Sequence, residues 1–306
     1  MPIPNSRTKE NGEITIKKEL CNGCGMCVKV CSDNSLMMLD GKAEINANPH
    51  FGCIACGHCM AVCPTEAIEI YGRELSPDDM FVLPKKEQAA SYEQLLSLYQ
   101  RRRSIREFKD KKVEDEIFQK IMDAVKQAPM GIPPSDVNVL VLRNKEQVRA
   151  FAEDFCNYLE SIHWLVSKWF LALMRLVWGK DTDELFRGFL KPLVHLYIDS
   201  MKSGKNQVTY DAPLAMYFYG SPFTDPADPI IAATYAMHAG ESLGLGTCML
   251  GGIHPFIQNG KKAKKFREKH GINYASREGL FVIFGYPTIK FHKGVKRSLA
   301  SMSYLN

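Results

Sequence analysis

Apolar and polar positions follow two different styles along this chain, and the change falls near residue 90. Before it, segments are short and turn-rich, with strands predicted at 13–17, around 36–45 and at 67–71. Residues 72–90, GRELSPDDMFVLPKKEQAA, carry two prolines and several charges without periodicity, and read as linker. From Ser91, SYEQLLSLYQRRR has helical apolar spacing, and VEDEIFQKIMDAVKQAP repeats it before ending at Pro129. Residues 137–142 (VNVLVL), 214–219 (LAMYFY) and 280–284 (LFVIF) are short apolar runs bounded by turn residues, the pattern of fully buried strands. Residues 228–243 read as helix, as does most of 146–200, which is rich in large apolar side chains including Trp164, Trp169, Phe170 and Trp178. The fold class is therefore α+β: a small domain over 1–75, a linker over 76–90 and a larger, helix-dominated domain over 91–306.

Composition narrows the class further. With 306 residues and 45% apolar content, the chain can bury one good-sized core and a small satellite. MPIPNSRTKENGE has no apolar stretch to serve as a signal-peptide core, so the expected compartment is the cytoplasm. The longest apolar run, 164–178, is broken by Lys168 and Arg175 and falls short of the roughly 20 residues that span a bilayer. No membrane insertion is expected. A net charge of +5, from 39 basic and 34 acidic residues, is too mild for nucleic-acid binding. Eight of the ten cysteines lie between Cys21 and Cys63, which marks the first domain as a separate chemical module.

CNGCGMCVKVC spaces Cys21, Cys24, Cys27 and Cys31 at x2, x2, x3, and CIACGHCMAVCP repeats that spacing at Cys53, Cys56, Cys59 and Cys63. Three thiolates within seven residues wrap three corners of one cubane, and the fourth, a helical turn on, serves the other cluster. One [4Fe-4S] cluster is thus assigned to Cys21, Cys24, Cys27 and Cys63, the second to Cys53, Cys56, Cys59 and Cys31. Structural zinc uses separated C-x-x-C pairs, and a disulfide framework needs an oxidising compartment. Gly23, Gly25 and Gly57 suit close approach of backbone N–H groups to sulfur, or ordinary turns. Residues 12–72 resemble the bacterial two-[4Fe-4S] ferredoxin domain, departing from it where Ser32 follows Cys31 in place of the proline kept at Pro64. Such a module carries single electrons and implies an acceptor elsewhere in the chain.

Arg101, Arg102, Arg103, Ser104 and Arg106 offer guanidinium forks and a hydroxyl to a phosphate, although a solvated basic helix end has the same sequence. The succession RRSIREF, QAPMGIPPS, APLAMYFYG, ESLGLGTCMLGG and FVIFGYP with a basic tail resembles the FMN-dependent nitroreductase family over residues 92–300. By that resemblance Arg102, Arg103, Ser104 and Arg106 belong to the FMN site, with Arg102, Ser104 and Arg106 at phosphate, ribityl and ring edge. Pro129, Met130 and Gly131 pass along the isoalloxazine from the partner subunit of a homodimer. Met249, Leu250, Gly251 and Gly252 cover the ring's other side, and Lys296 with Arg297 lie near the phosphate. The chain departs from the family at Met130, Ile132 and Pro133, where a small polar residue and an asparagine are usual, and at Gly251, where a glutamate is frequent.

ESLGLGTCMLGG lacks the full G-x-G-x-x-G fingerprint and is approached by helix, so it is not a Rossmann loop. His163, His195, His238 and His254 have no metal-ligand spacing, and Cys156 and Cys248 read as small buried residues. The basic stretch KKAKKFREKH reads as a solvated helix face or as a dock for an acidic ferredoxin or flavodoxin donor. The implied activity is an electron relay from an external donor through two clusters to FMN and on to a small-molecule acceptor: a nitroaromatic, a quinone or an activated alkene. The flavin does the chemistry, so no side-chain catalytic residue is assigned. NAD(P)H oxidation that sends electrons outward through the clusters, and flavin-bound electron storage without turnover, are the alternatives.

Overall fold

Four short strands and two short helices build the N-terminal module: β1 (Glu13–Ile16), α1 (Met26–Val30), β2 (Leu36–Leu39), β3 (Lys42–Ile45), α2 (His58–Val62) and β4 (Ile68–Tyr71). β1 pairs antiparallel with β4, and β2 with β3. Residues 36–45, expected as one strand, are a hairpin because Asp40 and Gly41 both take left-handed φ (48° and 75°) and reverse the chain. Leu36, Ala43, Ala55, Met60, Ile68 and Ile70 fill the interior together with Cys27 and Cys59. The structure, a computed structural model, describes residues 3–305. Met1 and Pro2 of the N-terminal stretch and Asn306 lie outside the described residues, as do the side chains of Leu176 and Trp178.

Residues 76–90 are exposed and hold two single 3-10 turns. Residues 72–75 differ from the linker their composition suggests: Gly72 and Leu75 bridge, and Arg73 between them is buried.

The larger domain runs α3 (Tyr92–Arg101), α4 (Asp115–Val125), β5 (Val137–Leu142), α5 (Lys145–Ser161), α6 (Lys168–Leu185), α7 (Lys191–Lys202), β6 (Leu214–Gly220), α8 (Ala227–Ser242), β7 (Gly246–Leu250), α9 (Lys261–Lys269) and β8 (Gly279–Gly285). Ser91 starts α3 through a capping box with Gln94, and Asn144 caps α5 by accepting from the Gln147 N–H at 2.8 Å. The antiparallel sheet has the order β5-β6-β8-β7. β6 and β8 are central and buried along their whole length, which is why they read as unbroken apolar runs. α4 and α8 cover one face, where Ala232, Ala233, Ala236 and Gly240 let α8 lie close to the strands. α5, α7 and α9 cover the other.

Three expectations change. β5 is only partly buried because it is an edge strand. Residues 246–250, read as loop, pair with β8 as the opposite edge. The apolar stretch 155–196 is not all core: Phe155, Leu159 and Val194 are fully enclosed, but Trp169, Leu173 and Val177 on α6 are exposed. Gly179 (φ 77°) kinks α6, and a π turn at Phe186–Leu190 leads into α7. Among the described residues no helix is long and apolar enough to cross a membrane.

Strand register fixes the geography of the domain. The pairs Val137–Gly220, Tyr219–Gly279 and Phe281–Leu250 put the start of β5, the end of β6, the start of β8 and the end of β7 at one end of the sheet. The module is seated at that end, on residues 133–136 just ahead of β5. Asn5 Nδ2 donates to the Pro134 carbonyl (2.9 Å), Arg7 Nη1 to the Ser135 carbonyl (2.8 Å) and the Ser6 N–H to the buried Asp136 carboxylate (2.8 Å). Arg73 donates through Nε and Nη2 to the Pro133 carbonyl (3.1 and 2.7 Å).

Candidate functional site

Two cavities in the module sort the cysteines as the spacing predicts: Cys21, Cys24, Cys27 and Cys63 line one, and Cys31, Cys53, Cys56 and Cys59 line the other. Gly25 (φ 70°) and Gly57 (φ 75°) turn each chain sharply into α1 and α2, where an L side chain is disfavoured. The helices end at Cys31 and Cys63 in extended backbone, and each of these thiols joins the other group of three. Main-chain N–H groups point at sulfur: Ala43 at Cys21 (3.5 Å), Ser35 at Cys31 (3.3 Å), Ala55 at Cys53 (3.4 Å) and Ala67 at Cys63 (3.2 Å). Donation from Ala43 and Gly23 pulls the Cys21 thiol down, whereas burial pushes Cys59 up to about 12. A thiol so enclosed ionises only against positive charge, which iron supplies. Among the described residues no three His, Cys, Asp or Glu side chains converge tightly enough to hold a single metal ion. The thiols instead ring a space, as a multi-iron cluster requires and tetrahedral zinc does not. The turn that lacks a proline after Cys31 is held by buried Asp33, whose carboxylate accepts from the N–H groups of Phe51 (2.8 Å) and Gly52 (3.2 Å).

In the larger domain the arginine-rich segment leaves α3 and is clamped between β7 and the chain beyond β8. Ser104 bridges Thr247, and the Ile105 N–H donates to the Thr247 carbonyl (2.9 Å). Phe108 bridges Pro287, and the Lys109 N–H donates to the Tyr286 carbonyl (2.8 Å). Gly246 permits the approach, since a Cβ there would lie 2.6 Å from Ile105 Cγ1. A cavity of about 480 Å³ opens beside this clamp, where Arg101, Arg103, Lys290 and Lys293 outweigh the Glu241 carboxylate. Burial pushes that carboxyl up, and Arg101, Arg102 and Arg103 pull it back. Arg102 Nη1 is buried with no hydrogen-bond partner among the described residues, an orphan donor of the kind a phosphate satisfies. Lys296 and Arg297 are exposed and lie outside the cavity wall, which ends at Gly294 beside Arg103. Arg106 leaves this group and stands 5.6 Å from the Tyr210 ring centroid.

β7 carries the chain about 14 Å from this basic end to the other end of the sheet. There Met249 is exposed, Gly251 has open space where a side chain would stand, and Gly252 passes under Tyr197 and Leu193. Leu250, by contrast, is buried. Pro129 and Met130 are exposed, and the Gly131 N–H is shared by the two Asp228 carboxylate oxygens (3.1 and 3.2 Å) at the start of α8. Phosphate-type donors therefore sit at one end of an edge strand, and an open glycine loop sits at the other.

Residues 99–286 match the model of the Nitroreductase family. The chain belongs to the nitroreductase family. With that membership it is an FMN-dependent oxidoreductase. Residues 20–68 match the 4Fe-4S dicluster domain. The fold is similar to that of a nitroreductase with bound FMN from Bacteroides fragilis NCTC 9343, at 15% identity and TM-score 0.50 over 70% of this chain and 99% of that one. A nitroreductase with bound FMN from Desulfitobacterium hafniense DCB-2 aligns at 21% identity and TM-score 0.47 over 69% and 97%. The cysteine region is 40% identical over 50 residues to one component of an ion-translocating oxidoreductase complex of Methanosarcina acetivorans. That match spans 16% of this chain and 18% of the relative's length.

Within the nitroreductase domain the structure adds residues that sequence reasoning passed over. Asp228 holds Gly131, and Glu241 shares the basic cavity. His254 lies just beyond the glycine loop, buried, with Nδ1 2.9 Å from Tyr217 Oη and 3.1 Å from Gln258 Nε2. Burial pushes the His254 imidazole down and the Tyr217 phenol up, so both stay neutral near pH 7. Tyr217→Phe leaves the His254 and Gln258 groups short of a partner and is expected to cost about 1–3 kcal/mol of stability. Denaturant unfolding at neutral pH reads this directly, and an unchanged midpoint would show that the network contributes nothing.

Proposed function

We propose that this chain is an iron–sulfur flavoprotein that takes single electrons from an external carrier into two [4Fe-4S] clusters, passes them to FMN, and reduces a bound nitroaromatic, quinone or activated alkene. The seat of the cysteine module carries this reading. It rests on residues 133–136, at the sheet end that also holds Gly131 and the open loop 249–252.

Bound FMN supplies a ring that accepts electrons singly and releases them in pairs. Arg102, Arg103 and Ser104 hold its phosphate end, and Met249, Gly251 and Gly252 leave room for the ring. A second copy completes the site. Tyr92, Leu95 and Tyr99 on α3, Phe81 to Leu83 in the linker, and Val295, Leu299 and Tyr304 in the tail are exposed in the single chain, an apolar surface that a homodimer covers.

The test is an anaerobic titration of iron-reconstituted protein with reduced ferredoxin, following the flavin absorbance band, against a Cys24→Ala/Cys56→Ala control. Bleaching in the intact protein alone is the expected result. Equal bleaching in both, or no flavin bound, sinks the relay.

A further inference from the structure

We infer that the cage lined by Cys31, Cys53, Cys56 and Cys59 is the one that delivers electrons to the flavin domain, and that Arg73 is the positioning residue that holds it there. This rests on the relay reading and deepens it.

The two cages are not equivalent with respect to the larger domain. The Gly12 N–H donates to the Cys53 carbonyl (2.8 Å), and the Gly12 backbone passes so close that a Cβ there would lie 3.2 Å from Cys53 Sγ. Two residues earlier, the Glu10 carbonyl accepts from Arg73 Nη1 (2.8 Å). The rest of the Arg73 guanidinium binds the Pro133 carbonyl. The same hairpin bears Leu75, whose Cδ2 would stand 3.4 Å from a Cβ on Gly57, the residue after Cys56. Segments 10–12 and 72–75 thus have this cage on one side and residues 133–136 on the other. The Cys21, Cys24, Cys27 and Cys63 cage is walled by Ala43, Thr65 and Ala67, whose hydrogen bonds among the described residues stay within the module.

Arg73 is suited to positioning. It is 5% exposed, sits at left-handed φ (50°), and spends its fork on two main-chain carbonyls from different domains rather than on a carboxylate. Each transfer removes one electron from the reduced cluster of this cage and adds it to the oxidised flavin. Reduced ferredoxin, the one-electron carrier, restores the cluster.

Two pairs of variants test the assignment by stopped-flow reduction with ferredoxin, with iron and FMN content measured beside each rate. Cys56→Ala is expected to abolish flavin reduction while Cys24→Ala retains part of it; the reverse order overturns the inference. Arg73→Ala is expected to keep iron and FMN, to raise hydrogen exchange at residues 133–136, and to slow flavin reduction about tenfold or more, since misplaced redox partners lose rate steeply. Arg73→Lys, which lacks the fork, is expected to recover little of that loss. Direct reduction of the flavin by dithionite should not change in either Arg73 variant, so a slow rate cannot come from a damaged flavin site. Raised exchange with an unaltered ferredoxin-driven rate overturns the positioning role. If the unsubstituted protein shows no ferredoxin-driven reduction, the relay itself fails, an outcome separate from these.

Discussion

Chelating the iron from the N-terminal module is expected to unfold residues 11–75 while the sheet domain stays folded. The module's interior is six apolar side chains plus Cys27 and Cys59, its strands are four residues long, and its helices are five. A core of that size supplies too little burial to offset chain entropy without a staple, and the clusters are the staple. The larger domain has its own two cores, neither of which draws on a module residue. Hydrogen exchange after anaerobic chelation should therefore show protection lost in β1 to β4 and kept in β6 and β8. Full protection of the module without iron would mean that its eight cysteines are not what holds it together.

Arg102→Ala is expected to weaken FMN binding by about 10- to 100-fold, the loss of one charge-assisted contact worth about 1.5–3 kcal/mol. The argument is one of satisfaction: Arg102 Nη1 is buried and has no partner among the described residues, so the bound phosphate is the group that completes it. Arg102→Lys should recover part of the affinity at most, because an ammonium cannot present the planar fork. Fluorescence titration of the flavin-free protein measures both. Equal affinity in parent and variants would move the phosphate away from this end of β7.

The cysteine spacing was enough to foresee the grouping into two cages, because the motif is local: helices of one turn and left-handed glycines bring its members together within each repeat. The buried central strands were equally visible, since β6 and β8 lie between two helical layers and read as uninterrupted apolar runs. Edge strands were harder. β7 is five residues with a glycine at its start, and only its pairing with β8 makes it a strand. The hairpin at 36–45 did have a signal, the Asp40–Gly41 pair, that the alternation of its flanks obscured. What no local pattern carries is the seat of the module. Arg73 meets a carbonyl 60 residues away, and Asn5 one 129 residues away, contacts that exist only after both domains have formed. The same holds for Arg106, whose place in an arginine run groups it with Arg102 while the fold turns it toward Tyr210.

β5 has a strand neighbour on one side only, and its six residues, VNVLVL, contain neither charge nor proline. Such an edge is a template for pairing with another chain. The module is anchored on the residues that lead into it, so oxygen damage that strips the iron also unfastens the guard of a sticky strand. Preparations that lose their brown colour should turn cloudy soon afterwards, and anaerobic handling preserves solubility as well as redox state.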